Sequence, residues 1–149
     1  MIFTHKLTGS RLAVALLLGL SSAMLYATTE ETVDSSAVQL EPQEQNGIRY
    51  LSGGIGLDES TALQQTKGYN LHLTFSTGPA NQYVSNVDLV IQTERGKPVL
   101  SLSQVGPLVY VQLPADKYLV IARTDGREQR RSIALAGTST GTVNFHWSE

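Results

Sequence analysis

Few side chains of this sequence stand in patterns that do chemistry, and each pattern implies a different kind. The stretch Tyr50–Ser60, YLSGGIGLDES, sets Gly53, Gly54 and Gly56 just ahead of a helix-forming run. Glycines in that place could wrap backbone around a phosphate at a helix N-terminus. A dinucleotide loop, however, needs G-x-G-x-x-G, and Glu59 stands where the third glycine belongs. A P-loop needs Gly-Lys-Ser/Thr, and that tripeptide does not occur. Asp58 and Glu59 would themselves occupy the positive end of the helix dipole and repel an anion. A tight strand-to-helix turn is expected, with no cofactor.

GTSTG, Gly137–Gly141, matches the G-x-S-x-G nucleophile elbow of hydrolases in letters alone. That elbow joins a strand to a helix and is followed by an acid and then a histidine. Ser139 falls between two strand patterns, and no acid lies between it and His146, so a polar hairpin loop is expected and no enzyme. His72 and His146 fall on the polar faces of their strands. They could line one exposed face if those strands are neighbours, but neither His-x-His nor His-x-x-x-His occurs, and a zinc site needs further ligands. No metal site is expected. The most polarised feature is RTDGREQRR, which carries Arg123, Arg127, Arg130 and Arg131. Guanidinium groups bind phosphates and carboxylates bidentately, so this hairpin is the expected interaction surface, for lipopolysaccharide phosphates, acidic glycans or an acidic partner. Arg130 and Arg131 point to opposite faces, so the patch is two or three arginines. The plainer alternative is a solvated hairpin whose charges discourage edge pairing.

These residues must be positioned by strands. Period-2 alternation dominates from Tyr69 onward. Tyr69, Leu71, Leu73 and Phe75 share one face, as do Val87, Leu89 and Ile91. Pro98–Ser103 reads as a strand that opens on a proline. Val109, Val111 and Leu113 form another face, and YLVIART is apolar on both faces, as in a central strand. Asp125-Gly126 is a short hairpin signal, RRSIAL is its return strand, and Val143, Phe145 and Trp147 close the chain on one face. Strands at this spacing give an all-β antiparallel sandwich of about seven strands. The expected core includes Leu71, Leu73, Phe75, Leu89, Val111, Leu113, Val120, Val143 and Phe145. One short helix is expected over Asp58–Lys67, lying on the surface, with Gly68 at the cap just beyond.

The segment Gly106–Ala122, GPLVYVQLPADKYLVIA, resembles the carboxypeptidase regulatory-like domain, a transthyretin-like sandwich related in architecture to Ig-like folds. Leu113, Pro114 and Tyr118 match the family's turn, and Asp116 stands where the family usually has glycine. Aspartate tolerates left-handed backbone better than most residues. The clear resemblance runs over about Val84–Ile133. It implies an accessory or binding module and supplies no catalytic residues.

At the N-terminus, Lys6 and Arg11 precede the nine-residue apolar run Leu12–Leu20, and small residues follow up to Ala27. That is the layout of a secretory signal peptide, and the run is shorter than the roughly 20 residues of a membrane span. Residues 1–27 are expected to be removed, with cleavage after Ala27 or Ala23. Residues 28–46 carry five acids and no base and read as a flexible acidic leader. The sandwich is expected over 47–147. Without residues 1–27, nine basic side chains face 13 acidic ones, a balance that excludes non-specific nucleic-acid binding. The chain has no cysteine, so neither a disulfide nor a thiolate site exists. The expectation is a non-catalytic binding or accessory module, periplasmic or secreted. Its partner would be a protein or an envelope glycan, with no transmembrane segment in the mature chain. The alternative is a periplasmic inhibitor or chaperone-like factor that captures a partner through an exposed strand edge. Mass spectrometry of the native protein should find a chain that starts near Thr28. An intact Met1 in the exported fraction, or a purely cytoplasmic protein, would contradict export.

Overall fold

Alternating apolar residues can be buried on one side only if strands pair with a fixed parity, and two sheets facing each other are the simplest way to do it. The computed structural model describes Asp34 and residues 36–148. The expected signal peptide, residues 1–27, lies outside the described residues, as does most of the first part of the leader.

The strands are β1 (Gln43–Gln45), β2 (Ile48–Gly53), β3 (Leu71–Thr77), β4 (Gln82–Tyr83), β5 (Val87–Thr93), β6 (Pro98–Val105), β7 (Leu108–Gln112), β8 (Asp116–Thr124), β9 (Arg127–Leu135) and β10 (Gly141–Trp147), with one helix, α1 (Leu57–Gln65), between β2 and β3. The first sheet runs β1-β2-β7-β3-β10, with β4 paired to the end of β3, and the second runs β6-β5-β8-β9. The fold is an all-β sandwich with one short helix. Among the described residues there are ten strands rather than about seven, because β1 and β4 are two- or three-residue pieces and Ile48–Gly53 pairs as a full strand. One pair departs from the antiparallel rule: β3 and β10 run parallel, from Leu71 opposite Gly141 to Thr77 opposite Trp147. No helix among the described residues is long and apolar enough to cross a membrane.

The core lies between the sheets. Leu71, Leu73 and Phe75 of β3, Val143, Phe145 and Trp147 of β10, and Val109 and Val111 of β7 meet Val87, Leu89 and Ile91 of β5, Leu100 and Leu102 of β6, and Tyr118, Val120 and Ala122 of β8. All nine residues named as core from the sequence are buried. Phe75, Phe145 and Trp147 cluster with ring centroids 5.7–6.4 Å apart, the range of favourable aromatic pairs. Turn chemistry sets the ends. Asp125 and Gly126 both adopt positive φ (48° and 73°), as a two-residue type I′ hairpin requires. The Tyr118 hydroxyl donates to the Pro114 carbonyl at 2.8 Å and ties down the turn before β8. Asp116 opens β8 and is not among the residues with positive φ, so this turn does not draw on the left-handed tolerance of aspartate.

Three local expectations are corrected. The helix runs Leu57–Gln65, not Asp58–Lys67, because Thr66 turns extended and its N–H caps the Leu63 carbonyl before Gly68 is reached. Nor does α1 merely rest on the surface. Leu63 is fully buried and joins Leu51, Tyr69, Leu108 and Tyr110 in a second apolar cluster on the outer face of the first sheet. Finally, β1 lies inside the expected acidic leader. It holds because Gln43 Oε1 accepts the Tyr50 hydroxyl at 2.7 Å and Gln45 Oε1 accepts the Ser101 N–H at 2.7 Å; these contacts need no apolar residues.

Phe75 has 0% exposure at the centre of this core. Phe75→Ala should therefore cost about 3–5 kcal/mol, measurable by denaturant unfolding. An unchanged midpoint would contradict the register.

Candidate functional site

The glycine loop is a structural joint. Gly54 and Gly56 hold φ of 93° and 95°, which other residues reach only with strain. A side chain at Gly53 would meet the Glu59 carboxylate at 2.5 Å. That carboxylate sits at the start of α1 and accepts the Ile55 N–H at 2.9 Å. The helix's own acid thus takes the place a bound anion would need. The loop presents Ile55 and Leu57 to solvent, 70% and 59% exposed. Ser139 caps a turn, its hydroxyl donating to the Ala136 carbonyl at 2.7 Å.

The histidines are on neighbouring strands but do not meet. His72 is opposite Thr142, and His146 is opposite Ser76, so they stand four positions apart along the pair, about 13 Å. His72 stacks on its cross-strand neighbour Tyr110 with ring centroids 3.7 Å apart and planes within 5°. Burial holds its pKa below the ordinary histidine value, which keeps the ring neutral at pH 7. His146 Nδ1 lies 3.1 Å from Ser76 Oγ. Among the described residues no group of three or more histidine, aspartate or glutamate side chains is placed to hold a metal ion.

The four arginines divide by strand parity. Arg123 of β8 is opposite Glu128 of β9, and Ile121 is opposite Arg130. Arg123 Nη2 and Arg130 Nε donate to the two oxygens of Glu128, both at 2.7 Å. This triad is on the outer, solvent-facing side of the second sheet. The two guanidinium donors, Arg123 first, hold the Glu128 carboxyl below its usual pKa. Sign follows from that: the pairing is intact above the normal carboxylate pKa and is lost as the pH falls through the lowered value. Arg127 and Arg131 face the other way, toward β10. Arg127 Nη1 donates to the Ser148 carbonyl at 2.6 Å, and the Arg131 guanidinium lies 5.7 Å from the centre of the Phe145 ring. Of the four arginines, Arg123 and Arg130 share the outer face, with Glu128 between them.

What the sequence reading passed over is the surface beside that triad. The outer face of the first sheet is covered in part by α1, whereas no described element covers the outer face of the second. Val90 of β5 lies opposite Ile121 of β8, and Leu119 is the next residue of β8 on the same face. All three are only half-buried. They form an apolar strip with Arg123 and Arg130 at one end and Lys117 at the other, about 20 Å away along β8. At the Lys117 end a shallow depression of about 310 Å³ is lined by Glu94, Lys117, Leu119, Ser132 and Ala134 among others. The signal was present in YLVIART, apolar on both faces as in a central strand; β8 is central in its sheet, between β5 and β9, and its outer apolar residues are half-buried. The strand buried on both faces is β7, covered by the core on one side and by α1 on the other. Chemically, the strip is apolar with paired charges at both ends, Arg123 and Arg130 on Glu128 at one and Lys117 4.0 Å from Glu94 at the other. No known protein family model matches the chain, and no curated protein matches it.

Proposed function

We propose that the protein is an exported, non-catalytic binding module, periplasmic or secreted, that engages an anionic partner through the outer face of its second sheet. One observation carries this: a sheet face left open, with Val90, Leu119 and Ile121 half-buried between the Arg123–Glu128–Arg130 triad and Lys117. Open apolar strips rimmed by charge are characteristic of interaction surfaces. The resemblance of Gly106–Ala122 to carboxypeptidase regulatory-like domains supports the same function, since those domains mostly act as accessory or binding modules. An envelope glycan bearing phosphate or carboxylate, or an acidic protein, has the matching chemistry. Only two guanidinium groups face outward and both are shared with Glu128, so the contact is weak and salt-sensitive.

A second function, capture of a partner chain at a strand edge, is favoured by a specific feature of β6: the outward N–H of Ser101 is satisfied by a side-chain amide rather than by a strand.

Titration of the protein with lipopolysaccharide at low salt tests the main proposal. Binding should weaken as salt rises. Arg123→Glu/Arg130→Glu should abolish it, and Glu128→Gln, which releases both guanidinium groups, should strengthen it. Equal binding by all three proteins, or none by any of them at low salt, would contradict the assignment of the surface.

A further inference from the structure

Two hairpins of this fold close on turns with the same backbone. Asn46 and Gly47 join β1 to β2 with φ of 54° and 77°, and Asp125 and Gly126 join β8 to β9 with φ of 48° and 73°. Gln45 is opposite Ile48 across the first turn, and Thr124 is opposite Arg127 across the second. Positive φ at both central positions is the type I′ pattern. The turns differ in chemistry: the first central residue is an amide in one and an acid in the other.

An asparagine ahead of a glycine can react with its own chain. The glycine nitrogen, having lost its proton, adds to the asparagine Cγ. Ammonia leaves, and a five-membered succinimide remains. Water then opens the ring at either carbonyl and leaves aspartate or isoaspartate, so the balance is one water consumed and one ammonia released. The ring demands ψ of about −120° at the asparagine, which together with φ of about +60° is the first central position of a type II′ turn. Type II′ is the other turn that closes a two-residue hairpin. Asn46 therefore already holds the φ that the ring needs. Only the peptide plane between Asn46 and Gly47 has to flip. The flip carries Gly47 from positive to negative φ, which glycine takes at little cost. Access is open as well. Both residues are exposed, and a side chain built at Gly47 would meet nothing within 4 Å. Among the described residues no backbone carbonyl accepts the Gly47 N–H.

Opening of the ring has a structural consequence. β1 is three residues long, and its glutamines tie it to Tyr50 and Ser101. Isoaspartate routes the main chain through its side-chain carbon, which lengthens the turn by one atom and leaves a carboxylate there. A two-residue hairpin cannot take up that atom and keep Gln45 opposite Ile48. We propose that Asn46–Gly47 is a self-modification site, at which the hairpin closes a succinimide without unfolding and isoaspartate formation releases β1 from Ser101. The site is independent of binding on either sheet face. Asp125 is its internal control, because an ionised carboxylate is a poor electrophile for the same attack.

The test is incubation of the purified protein at mildly alkaline pH, folded and in urea, followed by peptide mapping with mass spectrometry that distinguishes isoaspartate. The folded protein should react at Asn46 within about tenfold of the rate in urea, a barrier difference of about 1.4 kcal/mol, while Asp125 stays unchanged. A folded rate lower than that would mean that the hairpin must open first, and would overturn cyclisation in place. Equal reaction at Asp125 would overturn the assignment to the amide. Amide hydrogen exchange then reads the release. The Ser101 N–H should exchange faster in the isoaspartate fraction, and not in freshly made Asn46→Asp, which adds the same charge without the extra atom. Unchanged exchange at Ser101 in the isoaspartate fraction, or equally fast exchange in Asn46→Asp, would overturn release of β1 by the lengthened turn.

Discussion

Asn70 stands one residue before β3 and makes hydrogen bonds in two directions. Its side chain accepts the Leu113 N–H at 2.8 Å and donates to the Leu113 carbonyl at 2.7 Å, imitating a strand pair with the end of β7. Its backbone N–H donates to the Val111 carbonyl, and its carbonyl accepts the Gly141 N–H at the start of β10. One residue thus fixes the register of β3 against both neighbours. The rest follows from that parity. A slip of one position would turn Leu71, Leu73 and Phe75 outward and separate Phe75 from Phe145. The parallel β3–β10 pair, which joins segments about 70 residues apart in the chain, is held at its first rung by the same residue.

The same parity decides which surfaces are left over. On the first sheet, α1 lays Leu63 over Leu51, Leu108 and Tyr110, so that outer face is partly spent on stability. On the second sheet it leaves Leu119 and Ile121 pointing outward with Arg123. Closure of the sides is done by amide and guanidinium side chains, Gln45 at β6 and Arg127 with Gln129 at β10. Two of the four arginines serve the fold, which is why a charge cluster obvious in the sequence becomes a smaller patch on the molecule.

Much of the fold was legible because alternation is a local property. LHLTF, VDLVI and TVNFHW each announce an inner face, and Asp125-Gly126 announces its turn through the positive φ that both residues accept. The parts that were not legible depend on partners distant in the chain. β1 has no apolar pattern and exists through Gln43 and Gln45, which reach Tyr50 and Ser101. The burial of Leu63 could not be read from a helix with so few apolar residues, since it depends on Tyr69 and Tyr110 being turned toward it. Nor could the parallel sense of β10 be read, because nothing local marks strand direction. For the site, the arginines were visible but their division between two faces was not fully so. Their partner Glu128 and the apolar strip beside them became evident only once β5, β8 and β9 were in register.

That strip is the centre of the functional proposal, and it can be tested without knowing the ligand. A photo-crosslinking amino acid placed at Leu119 or Ile121, and in parallel at the exposed Gln64 of α1, would report what touches each surface in cells that express the protein. If the outer face of the second sheet is the working surface, irradiation yields adducts from Leu119 and Ile121 and none from Gln64. Adducts from Gln64 alone, or from none of the three, would contradict it.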